Sequence, residues 1–174
     1  MTSDAKKKIE VEMQPVVSTT DCLATANLAQ QIWRQHFTPI IGEAQVEYML
    51  AKFQSADAIA AQIESGWEYY LAKIDDEAVG YTGLVPEPDK QKMMLSKIYV
   101  KQSARGQGVG RVILDFIEAR CNTLGFTTLW LTVNRFNEGP VEWYTHHGFV
   151  ITDEVKKNIG GGFLMDDFIM EKRI

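Results

Sequence analysis

The residues from Met93 to Arg111 read MMLSKIYVKQSARGQGVGR, an apolar run followed by a short polar link and a cluster of glycines. The apolar segment Met93–Val100 is typical of a strand, and a helical pattern begins directly after Gly110. Glycine tolerates positive φ and lets backbone come close to a ligand. The first amides of a helix have no internal partners and carry the positive end of its dipole. This arrangement predicts a pocket for a phosphate or a pyrophosphate.

Two widespread phosphate-binding motifs do not fit this glycine cluster. A P-loop requires a lysine and then a serine or threonine after its last glycine, but Gly110 is followed by Arg111 and Val112. A dinucleotide fingerprint requires Gly-x-Gly-x-x-Gly, and its third glycine would fall on Arg111. The pattern that remains is Arg105-x-x-Gly108-x-Gly110. The alternative interpretation of this pattern is a glycine-rich turn before a helix, without a ligand.

Length and composition limit the class of protein. A chain of 174 residues suits one domain, and we expect residues 1–174 to form it, with residues 1–8 flexible. The net charge of -5 and the scarcity of basic runs argue against a nucleic-acid partner. No segment approaches the length of a membrane span, so no membrane partner is expected either.

The cysteines and the start of the chain predict a cytoplasmic protein. Cys22 and Cys121 have neither the spacing of metal ligands nor that of a disulfide framework. We therefore expect buried free thiols in a reducing compartment and no metal site. The first residues also lack the apolar core of a secretory signal.

Apolar and turn patterns predict the order strand, helices, three strands, helix, strand, helix and two strands. Thr127–Asn134 is a near-continuous apolar strand, and Asn137–Gly148 holds a short helix with Pro140 in its first turn. Phe149–Val155 is predicted as the next strand, and Gly160–Gly162 as the turn before the last one. This order predicts an α/β (α+β) fold in which helices flank a mixed sheet.

A second group of short patterns follows the glycine cluster. It consists of Asn134–Asn137 (NRFN), Val141–Tyr144 (VEWY) and Gly148–Phe149. Together with Arg105–Gly110, and at this separation, these patterns resemble the GNAT family of N-acetyltransferases. Valine and tryptophan stand here where the family usually has alanine and phenylalanine, and both keep the apolar character. The resemblance covers residues 80–172 and implies the GNAT fold, a mixed, mostly antiparallel central sheet of about seven strands.

The resemblance implies acetyl-coenzyme A as co-substrate and no metal. In the family, the pyrophosphate lies on the amides of the glycine loop, and the pantetheine arm lies along the central strand, which splays from the next strand at a bulge. The corresponding residues here are main-chain groups of the central strand, the glycine loop with two arginines, and two asparagines. They are Ile98, Tyr99 and Val100; Arg105, Gly106, Gln107, Gly108, Val109, Gly110 and Arg111; and Asn134 and Asn137.

Acetyl transfer to an amine needs a proton acceptor for the amine and benefits from a proton donor for the departing thiolate. By its position in the family motif, Tyr144 is the general acid. Asn137 is either a pantetheine ligand or only the N-cap of the short helix. Either one of Asp166 and Asp167 reaches the acceptor pocket, or one faces solvent and the other caps a loop. The general base stays open: no spacing singles out one of His36, Glu47, Glu64 and Glu68, and a water chain leading to solvent would also serve.

Leu95–Val100 and Ile159–Met170 resemble more narrowly the bacterial polyamine acetyltransferases of the PaiA type, although Asn158 stands where that branch has an aspartate. The resemblance implies a polyamine such as spermidine as the first candidate acceptor, followed by an amino-acid-like or drug-like amine and by a protein amino terminus. It also implies a homodimer. Rival functions are a non-catalytic acyl-coenzyme A sensor, which would not need Tyr144, and a nucleotide-binding module, which the failed glycine patterns disfavour.

Overall fold

We describe residues 8–174 in a computed structural model, so the predicted flexibility of residues 1–8 lies outside the described part apart from Lys8. The helices are α1 (Thr19–Ile41), α2 (Glu43–Phe53), α3 (Ala56–Glu64), α4 (Val109–Leu124) and α5 (Glu138–His146). The strands are β1 (Glu12–Pro15), β2 (Glu68–Ile74), β3 (Glu77–Glu87), β4 (Lys92–Val100), β5 (Thr128–Asn134), β6 (Val150–Gly160) and β7 (Phe163–Arg173).

The strands form one seven-stranded sheet in the order β1-β2-β3-β4-β5-β7-β6. Every neighbouring pair is antiparallel except β4 and β5, which run parallel. The predicted mixed, mostly antiparallel sheet of about seven strands is therefore confirmed. None of the helices in residues 8–174 is both long and apolar enough to cross a membrane.

Helices cover both faces of the sheet, and each face has its own apolar core. On one face α4 packs through Val109, Ile113 and Ile117. On the other face lie α1, α2 and α3, which contribute residues such as Ile32 and Val46. The amphipathic pattern of each helix explains its burial, because one stripe is apolar and faces the sheet.

Strand β4 changes face part of the way along its length. Gly83 of β3 is paired with Lys97, and the next residue of β3, Leu84, is paired with Leu95. Ser96 is thus the extra residue of a bulge, and a bulge of one residue moves the following side chains to the opposite face. Tyr99, which follows the bulge, accordingly packs in the core beneath the helices α1–α3.

Strand β4 also separates from β5. The two strands are paired only from Lys92 to Met94 on β4, against Thr128 to Trp130 on β5. Beyond Met94 the two strands diverge, as the resemblance implied. The main chain of Ile98–Val100 therefore has a strand partner on the β3 side but none on the β5 side.

The predicted bounds were wrong for β6. The sequence predicted a strand that ends at Val155, but β6 continues to Gly160 and pairs with β7 over that extra length. The added residues are mostly polar and exposed, because β6 is the edge strand of the sheet. An edge strand does not need the apolar alternation on which the prediction relied.

Candidate active site

A cavity of about 860 Å³ occupies the gap between the diverging strands. Its lining comes from β4, β5, the glycine loop, α5 and the helical first part of the chain, together with the β6–β7 hairpin. The cavity therefore lies against the glycine loop, the diverging part of β4 and the short helix α5. Among the predicted site residues, eleven of the twelve cofactor positions and Tyr144 line it, and Gln107 does not.

The glycine loop forms one end of the cavity. Gly106 and Gly108 have φ of 76° and 83°, a conformation that glycine adopts far more readily than other residues. Gly110 lies in the first turn of α4, and a Cβ there would come within 3.3 Å of the Trp143 ring. The first intrahelical bond joins Val112 N to Gly108 O, so the amides before it point out of the helix end. This end is suited to an anionic group.

The polar side chains of this loop bond to neighbouring parts of the protein. Arg105 Nε donates to Val100 O at 3.0 Å, which ties the loop to the end of β4. Arg111 Nε donates to Asp115 at 2.9 Å on the exposed face of α4. Gln107 turns away from the cavity and its amide donates to Ser103 O at 3.4 Å. Both arginines line the cavity, where their positive charge favours a phosphate.

Tyr144 is positioned by α5 and lies almost completely inside the protein. Its ring packs edge-on against Trp143 and Phe149 at centroid distances of 5.4 and 5.5 Å. The hydroxyl has no hydrogen-bond partner among the described residues, and the residue lines the cavity. Burial raises the pKa of Tyr144, so the hydroxyl holds its proton at neutral pH. An unpaired, protonated hydroxyl in a cavity can donate to a ligand.

The two predicted asparagines have different surroundings. Asn134 Oδ1 accepts from Phe136 N at 2.9 Å and shapes the turn after β5. Asn137 stands at the N-cap position of α5, but its side chain makes no capping bond. Instead its Oδ1 lies 2.9 Å from His36 Nε2 of α1. Asn137 is thus the N-cap residue of α5 by position, but its side chain bonds to α1 and does not cap the helix.

The structure separates the two adjacent aspartates of β7. Asp166 accepts from Arg135 Nε at 2.6 Å. Asp167 is only 3% exposed and lines the cavity, opposite Asn134 on β5. Burial raises the pKa of Asp167 to about 6. Asp167 is therefore the member of the pair that lines the cavity, and Asp166 is not.

Lys97 is a buried cation that the sequence did not single out. It is 4% exposed, and its Nζ donates to Phe53 O at 2.6 Å, to Gln62 Oε1 at 3.2 Å and to the hydroxyl of Tyr69. No carboxylate of the described residues lies within ion-pair distance of it. Burial lowers the pKa of Lys97 to about 7. The only feature of the sequence that pointed to Lys97 was a charged residue inside an apolar strand. The bulge that turns the Lys97 side chain towards α1–α3 could not be predicted from the sequence.

The four side chains considered as proton acceptors are dispersed. Glu47 is paired with Arg34 at the surface, at 2.7 Å. Glu68 is paired with Arg120, and Glu64 lies exposed near the end of α3. His36 alone among the four lines the cavity. Within residues 8–174 no group of three or more His, Cys, Asp or Glu side chains is placed to hold a metal ion.

Tyr99 connects the residues of this site. Burial raises its pKa, and the nearby Tyr144 and Asp167 raise it further. Its ring also packs edge-on against those of Trp33 and Phe37 of α1, with centroid distances of 5.5 and 5.9 Å. The hydroxyl of Tyr144, the carboxylate of Asp167 and the diverging part of β4 thus surround one region of the cavity.

The sequence of this chain is similar to those of known N-acetyltransferases. The model of the acetyltransferase (GNAT) family matches residues 28–149. An uncharacterized N-acetyltransferase in the pepI 3' region of Lactobacillus delbrueckii subsp. lactis is 25% identical over 154 residues, which is 82% of this chain and 88% of that protein. The family model thus spans more than half of the chain and includes the glycine loop and α5.

Solved structures share the fold. The PaiA N-acetyltransferase of Thermoplasma acidophilum in complex with coenzyme A has a TM-score of 0.80 and 22% identity, covering 95% of this chain and 100% of that chain. The ribosomal-protein-S18-alanine N-acetyltransferase of Escherichia coli has a TM-score of 0.70 and 17% identity, covering 95% and 94%. This protein therefore belongs to the GNAT family of N-acetyltransferases and uses acetyl-coenzyme A as its co-substrate.

Proposed function

We propose that the protein transfers acetyl directly from acetyl-coenzyme A to a small primary amine, with Tyr144 as the general acid. The observation that carries this proposal is the Tyr144 hydroxyl, which lies in the cavity without a hydrogen-bond partner among the described residues. When bound, acetyl-coenzyme A supplies the thioester. The C–N bond forms as the C–S bond breaks, and Tyr144 protonates the departing sulfur.

We assign the cofactor to the backbone around the glycine loop. The amides of Gly106–Arg111 would receive the pyrophosphate, helped by the charge of Arg105. The main chain of Ile98–Val100 is unpaired on the β5 side. The pantetheine arm would bind along it in the way that an additional strand would. Asn134 supports the same arm. Asn137 contributes through its amide, which the contact with His36 orients.

We assign the acceptor amine to Asp167. Its carboxylate is buried in the cavity beside Tyr99, where it can pair with an incoming ammonium group and take up its proton. A raised carboxyl pKa of about 6 makes this group a better base than an ordinary aspartate while leaving it ionised at neutral pH. The proton that leaves the amine is therefore taken up by Asp167, and a different group, Tyr144, supplies the proton for the leaving sulfur.

A polyamine such as spermidine is the first acceptor to test, because the sequence resembles the PaiA branch. Asp167 supplies a partner for one of its ammonium groups. An amine that also carries a carboxylate is a second candidate, and a specific observation favours it. Asp167 is the only carboxylate among the lining residues, whereas Lys97 and Lys157 also line the cavity.

A panel of amines of equal length tests both candidates. Release of free thiol from acetyl-coenzyme A would be followed with 1,5-diaminopentane, 5-aminopentanoate and pentylamine, and with spermidine. Faster turnover of the diamine and of spermidine supports the polyamine, and faster turnover of the amino acid supports the second candidate. If a peptide amino terminus is the only acceptor turned over, both are wrong. If no amine releases thiol while acetyl-coenzyme A binds, the protein is a sensor.

A further inference from the structure

The cavity connects the two apolar cores of the protein. Its lining residues Val100, Val109 and Tyr144 belong to the core beneath α4, where the cofactor is assigned. A second set of lining residues belongs to the core beneath α1–α3. We call this set the aromatic end of the cavity, and its members are Trp33, Phe37, Met49, Phe53, Trp67 and Met165. Because the backbone of the glycine loop and of β4 is assigned to acetyl-coenzyme A, the aromatic end is left for the acceptor.

Three aromatic rings in this region are packed against one another. The ring centroids of Trp33 and Phe37 are 4.3 Å apart, and Tyr99 lies edge-on to both at 5.5 and 5.9 Å. Trp33 and Phe37 are only 4% and 7% exposed, so the core holds their rings in place while they line the cavity. Rings fixed in this way form a preorganised apolar wall, and a ligand that packs against them does not have to order them.

Several polar side chains beside the aromatic end are bonded within the protein. Lys97 Nζ has three N–H donors when it is protonated. Its acceptors are Phe53 O, Gln62 Oε1 and the hydroxyl of Tyr69. Gln54 Oε1 accepts from the hydroxyl of Tyr81 at 3.0 Å. His36 Nε2 lies 2.9 Å from Asn137 Oδ1. The surface that remains for the body of a ligand therefore consists mostly of rings and of methionine side chains.

Asp167 adjoins this end of the cavity. It is the only carboxylate among the described residues that line the cavity, and it is close enough to Tyr99 to raise the pKa of that hydroxyl. Tyr99 in turn packs against Trp33 and Phe37. An amine that pairs with Asp167 can therefore extend its body along these two rings.

A polyamine matches this arrangement poorly. Only one of its ammonium groups can pair with Asp167, and Lys97 and Lys157 also line the cavity. A second ammonium group would lie among rings and lysines without a carboxylate partner, and burying an unpaired charge is costly. A cation–π contact offsets only part of that cost. An aromatic body carries no charge and packs favourably against other rings.

We propose that the acceptor is a primary amine that carries an aromatic ring on a short aliphatic chain. This proposal rests on the proposed transfer of acetyl to a small amine and specifies the body of that amine. The ammonium group pairs with Asp167, and the ring packs against Trp33 and Phe37. The nitrogen gives its proton to Asp167 and forms the C–N bond as the C–S bond breaks, and Tyr144 protonates the sulfur. A carboxylate on the same molecule is compatible with this arrangement, whereas spermidine has no ring to place there.

Amines that carry one positive charge each test the proposal without a change in charge. Thiol release from acetyl-coenzyme A would be followed with 2-phenylethylamine, 2-cyclohexylethylamine and pentylamine, and with spermidine for comparison. We expect kcat/KM for 2-phenylethylamine to exceed that for pentylamine and that for spermidine by about tenfold, with 2-cyclohexylethylamine between the aromatic and the linear amine.

The outcomes separate this proposal from the proposed function. Spermidine or pentylamine turned over as fast as 2-phenylethylamine would overturn the aromatic acceptor and leave acetyl transfer to an amine standing. If none of the amines releases thiol, acetyl transfer itself is wrong, and the aromatic acceptor is wrong with it.

A pair of variants tests whether the aromatic end selects the ring. Phe37→Leu removes a ring that lines the cavity, and Phe163→Leu is the matched control because Phe163 packs in the same core but does not line the cavity. The readout is kcat/KM for 2-phenylethylamine divided by kcat/KM for pentylamine. We expect this ratio to fall about fivefold in Phe37→Leu and to stay unchanged in Phe163→Leu.

The ratio distinguishes recognition of the ring from damage to the fold, because a misfolded fraction lowers turnover of both amines equally. Phe53→Leu replaces a partly buried ring of the aromatic end and serves in the same way if Phe37→Leu does not fold. A ratio in the folded variant equal to that of Phe163→Leu would overturn the proposal.

Discussion

The two walls of the cavity are built on different principles. One, which we call the backbone wall, consists of Ile98–Val100 and Arg105–Arg111 and offers mainly amides and carbonyls. The other, the side-chain wall, offers the functional groups of His36, Lys97 and Asp167. A backbone wall requires glycine and strand geometry, which leave patterns in a sequence. A side-chain wall requires residues that are distant from one another in the chain, and it leaves almost no pattern in the sequence.

The largest expected effect is on the side-chain wall. Asp167→Asn keeps the shape of the side chain and removes its ability to accept a proton, so turnover should fall by about 10²–10⁴-fold. In the wild type, kcat/KM should rise with pH through about 6, where Asp167 loses its proton. The variant should lack this rise. Turnover within a factor of about two of the wild type, with the pH profile intact, would remove Asp167 from the mechanism.

The same substitution should have the opposite effect on stability. The pKa of Asp167 is raised from 3.8 to about 6, so the folded protein binds this proton more tightly than the unfolded chain. The free energy of unfolding therefore loses this contribution as the pH rises across that interval. At pH 7 we expect Asp167→Asn to be more stable than the wild type in thermal unfolding.

Next in size is a backbone substitution in the glycine loop. Gly108→Ala forces a side chain into a position with φ of 83°, although the new Cβ meets no atom within 4 Å. The conformational cost is about 1–2 kcal/mol, which favours relaxation of the free loop away from the shape that presents its amides. Binding of acetyl-coenzyme A has to restore that shape, so the affinity should fall by about tenfold in calorimetry. Gly139→Ala is the matched control, because it adds the same methyl group in the cavity lining without a positive φ. Equal affinities for the two variants would contradict the role of the backbone wall.

A smaller effect concerns Lys97 and its pH dependence. Burial lowers its pKa from 10.5 to about 7, so the unfolded chain binds this proton more tightly than the folded protein does. The free energy of unfolding of the wild type should therefore rise from pH 7 to about 10. Lys97→Met should lose this rise, whereas Lys157→Met, an exposed lysine on the same cavity, should keep it. A rise that persists in Lys97→Met would show that another group causes it.

The smallest effect is expected for Gln107. It is part of the motif, but its side chain turns away from the cavity and bonds to Ser103 O. Gln107→Ala should change the affinity for acetyl-coenzyme A by less than about 0.5 kcal/mol, as for an ordinary surface substitution. A clear loss of affinity would mean that the motif acts through side chains, and the distinction between the two walls would weaken.

Part of this molecule could be predicted from sequence for a physical reason. Positive φ at Gly106 and Gly108 strongly favours glycine over other residues, so local backbone geometry marks this loop in the sequence. The apolar patterns of the strands likewise predicted a sheet of about seven strands, and the structure has seven. These features depend on neighbours within a few residues.

The rest depends on contacts between distant parts of the chain. The bulge at Ser96 turns Lys97 to the face of α1–α3, and nothing in LSKIYV marks that change. The Asn137 side chain contacts His36, which is 101 residues away in the chain, so the sequence could not show that this side chain leaves the helix uncapped. The sequence left open whether one of the adjacent residues Asp166 and Asp167 reaches the pocket. Only the register of β7 against β5 distinguishes the two.

The measurement that tests the central claim most directly is turnover of Tyr144→Phe together with its affinity for acetyl-coenzyme A. Tyr70→Phe is the matched control, because it removes a hydroxyl from a tyrosine that does not line the cavity. With an amine from the panel that is turned over, we predict a fall in kcat of about 10²–10⁴-fold in Tyr144→Phe, with acetyl-coenzyme A bound as tightly as in the wild type. A kcat equal to that of Tyr70→Phe would contradict the assignment of Tyr144 as the general acid.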